Sequence, residues 1–233
     1  MKTTDMILRG LLLSTLLLGS ATAAQAQVPP SPSERSAYTG YLEAASRNDV
    51  VKIKELAAQG MKPEVRDGHG RTPLHVATFD GHHAAMRALV DAGADPNALE
   101  NDRYDIVTIA AVDNDVPTLK LALELGASAK NITSPYDGTA LIAAAHLGNV
   151  EVVKILIRAG APLNHVNNLG WTALIESIVL GDGGTRHTET LRALVAAGAD
   201  VNLADRSGAS PLSLARSRGY KEMTDILESA KAH

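Results

Sequence analysis

A glycine closes an apolar stretch at positions 60, 93, 126, 160 and 198, at intervals of 33, 33, 34 and 38 residues. A second anchor, Thr39, Thr72, Asp105 and Thr139, lies 21 residues before each of the first four glycines, and continues as Thr172 and Ser210. Self-similarity at such a period means small supersecondary units that cannot bury an apolar face alone and must stack on their neighbours. Between Thr172 and Gly198 the interval grows to 26, a five-residue insertion around Gly181-Asp182-Gly183-Gly184 expected to lengthen the loop inside that unit.

Each unit has one internal logic. A Thr or Ser opens a short apolar helix, as in Thr72-Pro73-Leu74-His75-Val76-Ala77, where the hydroxyl can cap free N–H groups and proline suits the first helical turn. A turn through Gly81, Gly148, Gly181 or Gly219 follows, since glycine closes a helix in the left-handed conformation. A second helix with helical apolar spacing, such as Val150, Val153, Ile155 and Leu156, then runs to the anchor glycine. Gly93-Ala94-Asp95-Pro96-Asn97 and Gly198-Ala199-Asp200-Val201-Asn202 supply turn chemistry to the next unit. These features predict an all-α solenoid.

The residues Thr72-Pro73-Leu74-His75, Gly81-His82, Gly93-Ala94-Asp95, Gly148-Asn149-Val150-Glu151, Gly160-Ala161 and Gly198-Ala199-Asp200-Val201-Asn202 resemble the ankyrin-repeat family. The resemblance implies about six stacked helix-turn-helix units with β-hairpin-like loops projecting to one side, at 36–66, 67–99, 100–132, 133–166, 167–204 and 205–233. It implies binding of other proteins without catalysis. It also makes Thr72, Pro73, Leu74, His75, Gly81, Gly93, Gly126, Gly148, Gly160 and Gly198 structural, with His75 bonding to loop backbone. The third unit departs from the pattern, with Asp105-Ile106-Val107-Thr108 and Asn114 at the motif and turn positions, and is expected to be the softest interior layer. Lys221, Glu222, Asp225, Glu228 and Lys231 make the last helix a polar cap.

Ahead of the repeats, residues 1–26 carry Lys2 and Arg9, a leucine-rich run from Leu11 to Leu18 and the small-x-small ending Ala24-Gln25-Ala26. The pattern is that of a secretory signal peptide; the greasy run is too short for the ~20 residues of a bilayer span, and an uncleaved anchor is the competing reading. Residues 27–35 read as a Pro/Ser-rich tether. Export without a single cysteine suits a bacterial periplasm, with secretion beyond it the alternative.

Chemistry finds little support. With no cysteine there is no disulfide, thiolate nucleophile or cysteine zinc site. A net charge of −4 without a basic run argues against nucleic acid. None of the eight histidines shows the i, i+4 spacing of a helical metal pair, so no metal or cofactor is expected. Asp113-x-Asp115 with Glu124 imitates a calcium loop but has Thr118 where glycine is required. The Gly181–Gly184 stretch lacks the Gly-Lys-Ser/Thr ending of a phosphate cradle, and no Gly-x-Ser-x-Gly elbow occurs, so no catalytic residue is expected.

Projecting the implied geometry places Arg71, Tyr104, Tyr136, Leu169, Trp171 and Arg206 on loop tips and Phe79, Val112 and His146 at ends of inner helices, together forming a concave ladder centred on units three to five. Four of the seven aromatics fall there, and aromatics and arginine dominate interface hot spots. On the competing view Trp171 packs between adjacent loops and only holds the stack together. The expected function is a scaffold binding a protein partner. The alternatives are an accessory or inhibitor of a periplasmic enzyme or toxin, for instance in oxidative defence, and a small-molecule or metal binder using the histidine-bearing loops. Expression with export should yield a chain beginning at Gln27, as read by intact mass and N-terminal sequencing; retention of Met1 in the membrane fraction would defeat the signal-peptide reading.

Overall fold

The computed structural model describes residues 27–231; the signal-peptide reading of residues 1–26 lies outside them. Among the described residues there are thirteen helices: α1 Pro32–Ala37, α2 Gly40–Ser46, α3 Val50–Ala58, α4 Pro73–Phe79, α5 His83–Asp91, α6 Ile106–Val112, α7 Val116–Glu124, α8 Ala140–Leu147, α9 Val150–Arg158, α10 Ala173–Val179, α11 Thr185–Ala196, α12 Pro211–Ser217 and α13 Lys221–Ser229. After α1 they pair as six antiparallel units.

The anchor residues act as the caps their chemistry suggests. Thr72, Asp105, Thr139, Thr172 and Ser210 each accept a hydrogen bond from the backbone N–H three residues on, at 2.8–3.4 Å. Inner helices α2, α4, α6, α8, α10 and α12 pack in sequence order. Among the outer helices, α3 lies on α5, α7 on α9, α9 on α11 and α11 on α13, whereas α5 and α7 touch only sparsely. One apolar cluster runs through every unit, with Ile53, Leu89, Leu119, Leu141, Leu156, Leu174, Leu194 and Leu227 all buried.

Polar staples reinforce the stack. His82 Nδ1 donates to the Ala45 carbonyl at 3.0 Å, Asn149 Nδ2 to Ala111 at 2.9 Å, His187 Nε2 to His146 at 2.9 Å and the Tyr220 hydroxyl to Gly181 at 2.9 Å. Each reaches back one unit, the first three to the carboxyl end of an inner helix, where carbonyls lack helical partners, and Tyr220 to the turn just after α10. His75 does the same from the other end: Nδ1 accepts the Thr72 N–H and Nε2 donates to the Tyr104 carbonyl at 3.1 Å. Burial lowers its pKa to about 4, so the ring is neutral, as this arrangement requires.

The projecting loops are hairpin-like, without strands among the described residues and with one isolated bridge between Thr133 and Gly138. Two expectations need correction. The insertion in unit five does not simply lengthen a loop. Helix α11 has 12 residues against nine in α9, so three of the five extra residues extend the helix and bury His187 and Thr188. The left-handed residue of that turn is Gly183 (φ 70°), not Gly181. Tyr220 packs where a β-carbon on Gly183 would sit.

The second correction concerns the tether. Residues 32–37 form α1, opened by a capping box between Ser31 and Glu34, and the whole segment is bound to units one and two. Arg71 organises it. Its guanidinium pairs with Glu34, donates to Asp67 at 2.7 Å and to the Val28 carbonyl at 2.8 Å, and is 1% exposed. Asp67 in turn accepts from the Tyr38 hydroxyl at 2.6 Å, and Arg35 pairs with Asp80. The prolines deny helix to residues 27–30 but not a fixed place.

Removing one partner of a buried ion pair strands the other, at a cost of roughly 3 kcal/mol. Arg71→Met should therefore lower unfolding free energy by about that amount, measured by urea titration, and speed amide exchange in residues 28–38; unchanged exchange there would refute the anchoring role.

Candidate functional site

The loop tips are built alike. In each of four, the first residue's N–H donates to the carbonyl four residues on, and the fourth residue's N–H returns to the first carbonyl: Asp67 with Arg71, Glu100 with Tyr104, Asn167 with Trp171 and Asp205 with Ala209. Asp67, Asn167 and Asp205 also accept two tip N–H groups each through Oδ1, at 2.8–3.0 Å. The tip from Thr133 to Gly138 is one residue longer. That residue is the source of the 34-residue interval, and it pushes Tyr136 out to 42% exposure.

Neighbouring tips are joined. Asn101 N–H donates to the His69 carbonyl at 3.0 Å, Ser134 N–H to Arg103 at 3.1 Å and Asn168 N–H to Tyr136 at 2.9 Å. Asn168 Nδ2 adds a bond to the Pro135 carbonyl at 3.0 Å, and Arg103 pairs with Asp137. The ladder is thus a hydrogen-bonded surface rather than a row of independent loops, and little freedom remains to be lost on binding.

The residues expected on this surface divide. Tyr136 and Leu169 are exposed, on tips bonded directly to each other. Arg206 is exposed too, its stem lying over Gly170, where a β-carbon would come within 2.4 Å of Cγ. Val112, His146 and Trp171 are half-buried. Phe79 and Tyr104 are also half-buried and share a small pocket with Gln27, Val28, His69, Arg71, Glu100 and Asp102. Arg71 is the correction: it is buried under the N-terminal segment and offers nothing to a partner, because its three acceptors lie within the chain. Units one and two are therefore partly covered, Tyr104 at the start of unit three borders the covering segment, and the open part of the ladder runs from there through unit five.

One residue of this region escaped sequence reasoning. Glu176 lies on α10, 3% exposed, in the register that holds Val76, Ile109, Ala143 and Leu214 in units two, three, four and six; unit one has Glu43 there, half-buried and paired with Arg47. An acidic residue in a register that is apolar or small in the other interior units was the available signal. Its Oε1 accepts from Asn167 Nδ2 at 2.9 Å, while Oε2 is buried without a hydrogen-bond partner. His146 Nδ1 stands 3.8 Å from Oε2, beyond hydrogen-bonding reach. Burial pushes the Glu176 pKa up to about 7, against the bond from Asn167. Burial, with the charge of His187, holds His146 below the usual histidine value.

Among the described residues no group of three or more His, Asp or Glu is placed to hold a metal, and no helix is long and apolar enough to cross a membrane.

Comparison with known proteins places this geometry in context. The family model described as ankyrin repeats (3 copies) matches residues 14–100 and 107–205. The curated relative YahD of Escherichia coli (strain K12), named for its ankyrin repeats, is 33% identical over 193 residues, covering 82% of this chain and 96% of its own. The crystal structure of an ankyrin repeat domain from Acinetobacter baumannii AYE is 42% identical with a TM-score of 0.78, over 83% of this chain and 98% of that one. The ankyrin repeat protein EF0377 is 31% identical with a TM-score of 0.74, over 82% and 98%.

A carboxyl whose pKa is raised on folding binds more protons in the native than in the unfolded state between about pH 4.5 and 7, so it makes stability fall as pH rises across that window. Glu176→Gln should abolish a loss of about 3 kcal/mol between pH 4.5 and 7. Urea unfolding at pH 5 and pH 8 checks this; equal pH dependence in the two proteins would place the Glu176 proton elsewhere.

Proposed function

Because the chain belongs to the ankyrin-repeat family, we propose that it is a non-enzymatic scaffold of the bacterial cell envelope that binds a protein partner through the open ladder of units three to five. Ankyrin repeats are protein–protein interaction modules, and the family's members are generally not enzymes. The observation that carries the proposal for this surface is the exposure of Tyr136 and Leu169 on two tips bonded together, with half-buried Trp171 beside them. Large side chains held on ordered backbone are what interface hot spots need. The envelope location rests on the leader pattern of residues 1–26 and the absence of cysteine. The N-terminal segment beside Phe79 and Tyr104 limits the contribution of unit two and of the first tip of unit three.

Affinity capture of the 27–233 protein from an envelope extract, followed by mass spectrometry, tests this reading. One dominant protein should elute with the wild type in the presence or absence of chelator. The double variant Tyr136→Ala, Leu169→Ala should weaken its capture by about tenfold or more, with a Tm change of no more than ~2 °C. Capture unaffected by the double variant would remove the ladder as the binding surface. Loss that follows chelator would favour a metal-dependent role.

A further inference from the structure

Resting on that interaction reading, we propose that Glu176, Asn167 and His146 form a niche that takes the guanidinium or ammonium group of an arginine or lysine side chain carried by the partner. The geometry supports a cationic guest in four ways. First, Glu176 stands where units two, three, four and six carry apolar or small residues, and whereas its counterpart in unit one, Glu43, is part-exposed and paired with Arg47, Glu176 is buried with a donor on one oxygen only. A buried carboxyl oxygen without a donor is costly, and such groups in native proteins mark strain held for a function.

Second, the vacancy is specific. Oε1 is already held by Asn167 at 2.9 Å, while Oε2 is bare and no Lys or Arg pairs with it. A carboxylate with one oxygen occupied and one free takes a charge-assisted donor in preference to a neutral one. Third, the route to it is His146, at the end of α8, whose side chain is 32% exposed and stands 3.8 Å from Oε2 without bonding to it. On the proposal, the guest enters by displacing that ring from its place beside Oε2.

Fourth, the niche is wired to the exposed tip. The Asn167 side chain that donates to Glu176 also accepts the N–H groups of Leu169 and Trp171, each at 3.0 Å. A cation held at Glu176 lies under a tip that presents Leu169 and Trp171, so the fitting partner segment carries an Arg or Lys flanked by apolar residues.

The titratable and charged groups around the niche are Glu176 on α10, His146 on α8, His187 on α11 and Asp182 in the turn before it. In the free protein at neutral pH, Glu176 retains much of its proton and His146 is neutral, so the niche closes without a net charge. A cationic guest needs the ionised carboxylate and displaces that proton. Affinity therefore rises with pH through the Glu176 transition and levels off above it.

The test is a titration followed by NMR of the 27–233 protein with 13C-labelled glutamate carboxyls and 15N side-chain amides. The probes are N-acetyl-arginine methylamide, its uncharged counterpart N-acetyl-norleucine methylamide, and putrescine as a small diffusible amine. The arginine probe should produce saturable shifts at the Glu176 carboxyl and the Asn167 amide, with affinity about tenfold higher at pH 8 than at pH 6. Glu176→Gln, verified as folded by its amide spectrum, should abolish these shifts, and His146→Ala should tighten binding by removing the covering ring. Absence of saturable shifts in both the wild type and His146→Ala overturns the proposal, as does an equal response to the norleucine probe. Tighter binding of putrescine than of the arginine probe also overturns it, by assigning the niche to a free amine. The titration uses no partner, so a negative result beside successful capture from the envelope removes the niche alone. A positive titration beside failed capture removes the interaction reading alone.

Discussion

Each helix pair in this chain buries its apolar face only against the pair before it and the pair after it, and every other property of the molecule depends on that nearest-neighbour contact. The helices are short, seven to nine residues in most cases, well below the length at which an isolated helix persists in water. They hold because caps at Thr72, Asp105, Thr139, Thr172 and Ser210 satisfy their first N–H groups, and because staples such as His82 to Ala45 and Asn149 to Ala111 satisfy carbonyls of the preceding unit. The same stacking spaces the loop tips closely enough for direct backbone bonds between them, so the rigidity of the outward surface is inherited from the core.

A solenoid has two ends where this contact fails, and the chain treats them differently. At the carboxyl end, α13 buries Met223 and Leu227 and carries exposed ion pairs, Lys221 with Asp225 within the helix, Glu222 with Arg192 of α11 and Glu228 with Arg216 of α12. At the amino end, α1 and the residues before it fold back over units one and two, held through the buried Arg71 guanidinium. That solution occupies part of the concave face and leaves the exposed apolar side chains of the ladder concentrated at Tyr136 and Leu169.

Against this economy of satisfied groups, Glu176 stands out as a buried carboxyl, in a register that is apolar or small in the other interior units, with one oxygen unpaired. Its cost is borne in unit five, beside the lengthened α11 and next to the tip with Leu169 and Trp171. Two departures from the repeat pattern, the buried Glu176 and the lengthened α11, thus meet in unit five beside the exposed tip.

The periodic part of the architecture was legible in the amino-acid order. Anchor spacing determines the number of units, Thr and Pro the starts of inner helices, and the glycines at 60, 93, 126, 160 and 198 the left-handed stops, all with φ between 77° and 96°. These features are local: each depends on residues within one or two turns. What only the tertiary structure decided depends on residues far apart in the chain. Arg71 looks like a surface arginine until Glu34 and the Val28 carbonyl close over it from 37 and 43 residues away. Pro29, Pro30 and Pro32 read as a tether because they lack periodicity, yet docking depends on what lies opposite them. The unpaired state of Glu176 likewise belongs to the packing of α8, α10 and a tip nine residues upstream. Periodicity determines how the units repeat; the burial of a charge or the exposure of a tip is a sum over neighbours that no single stretch of sequence contains.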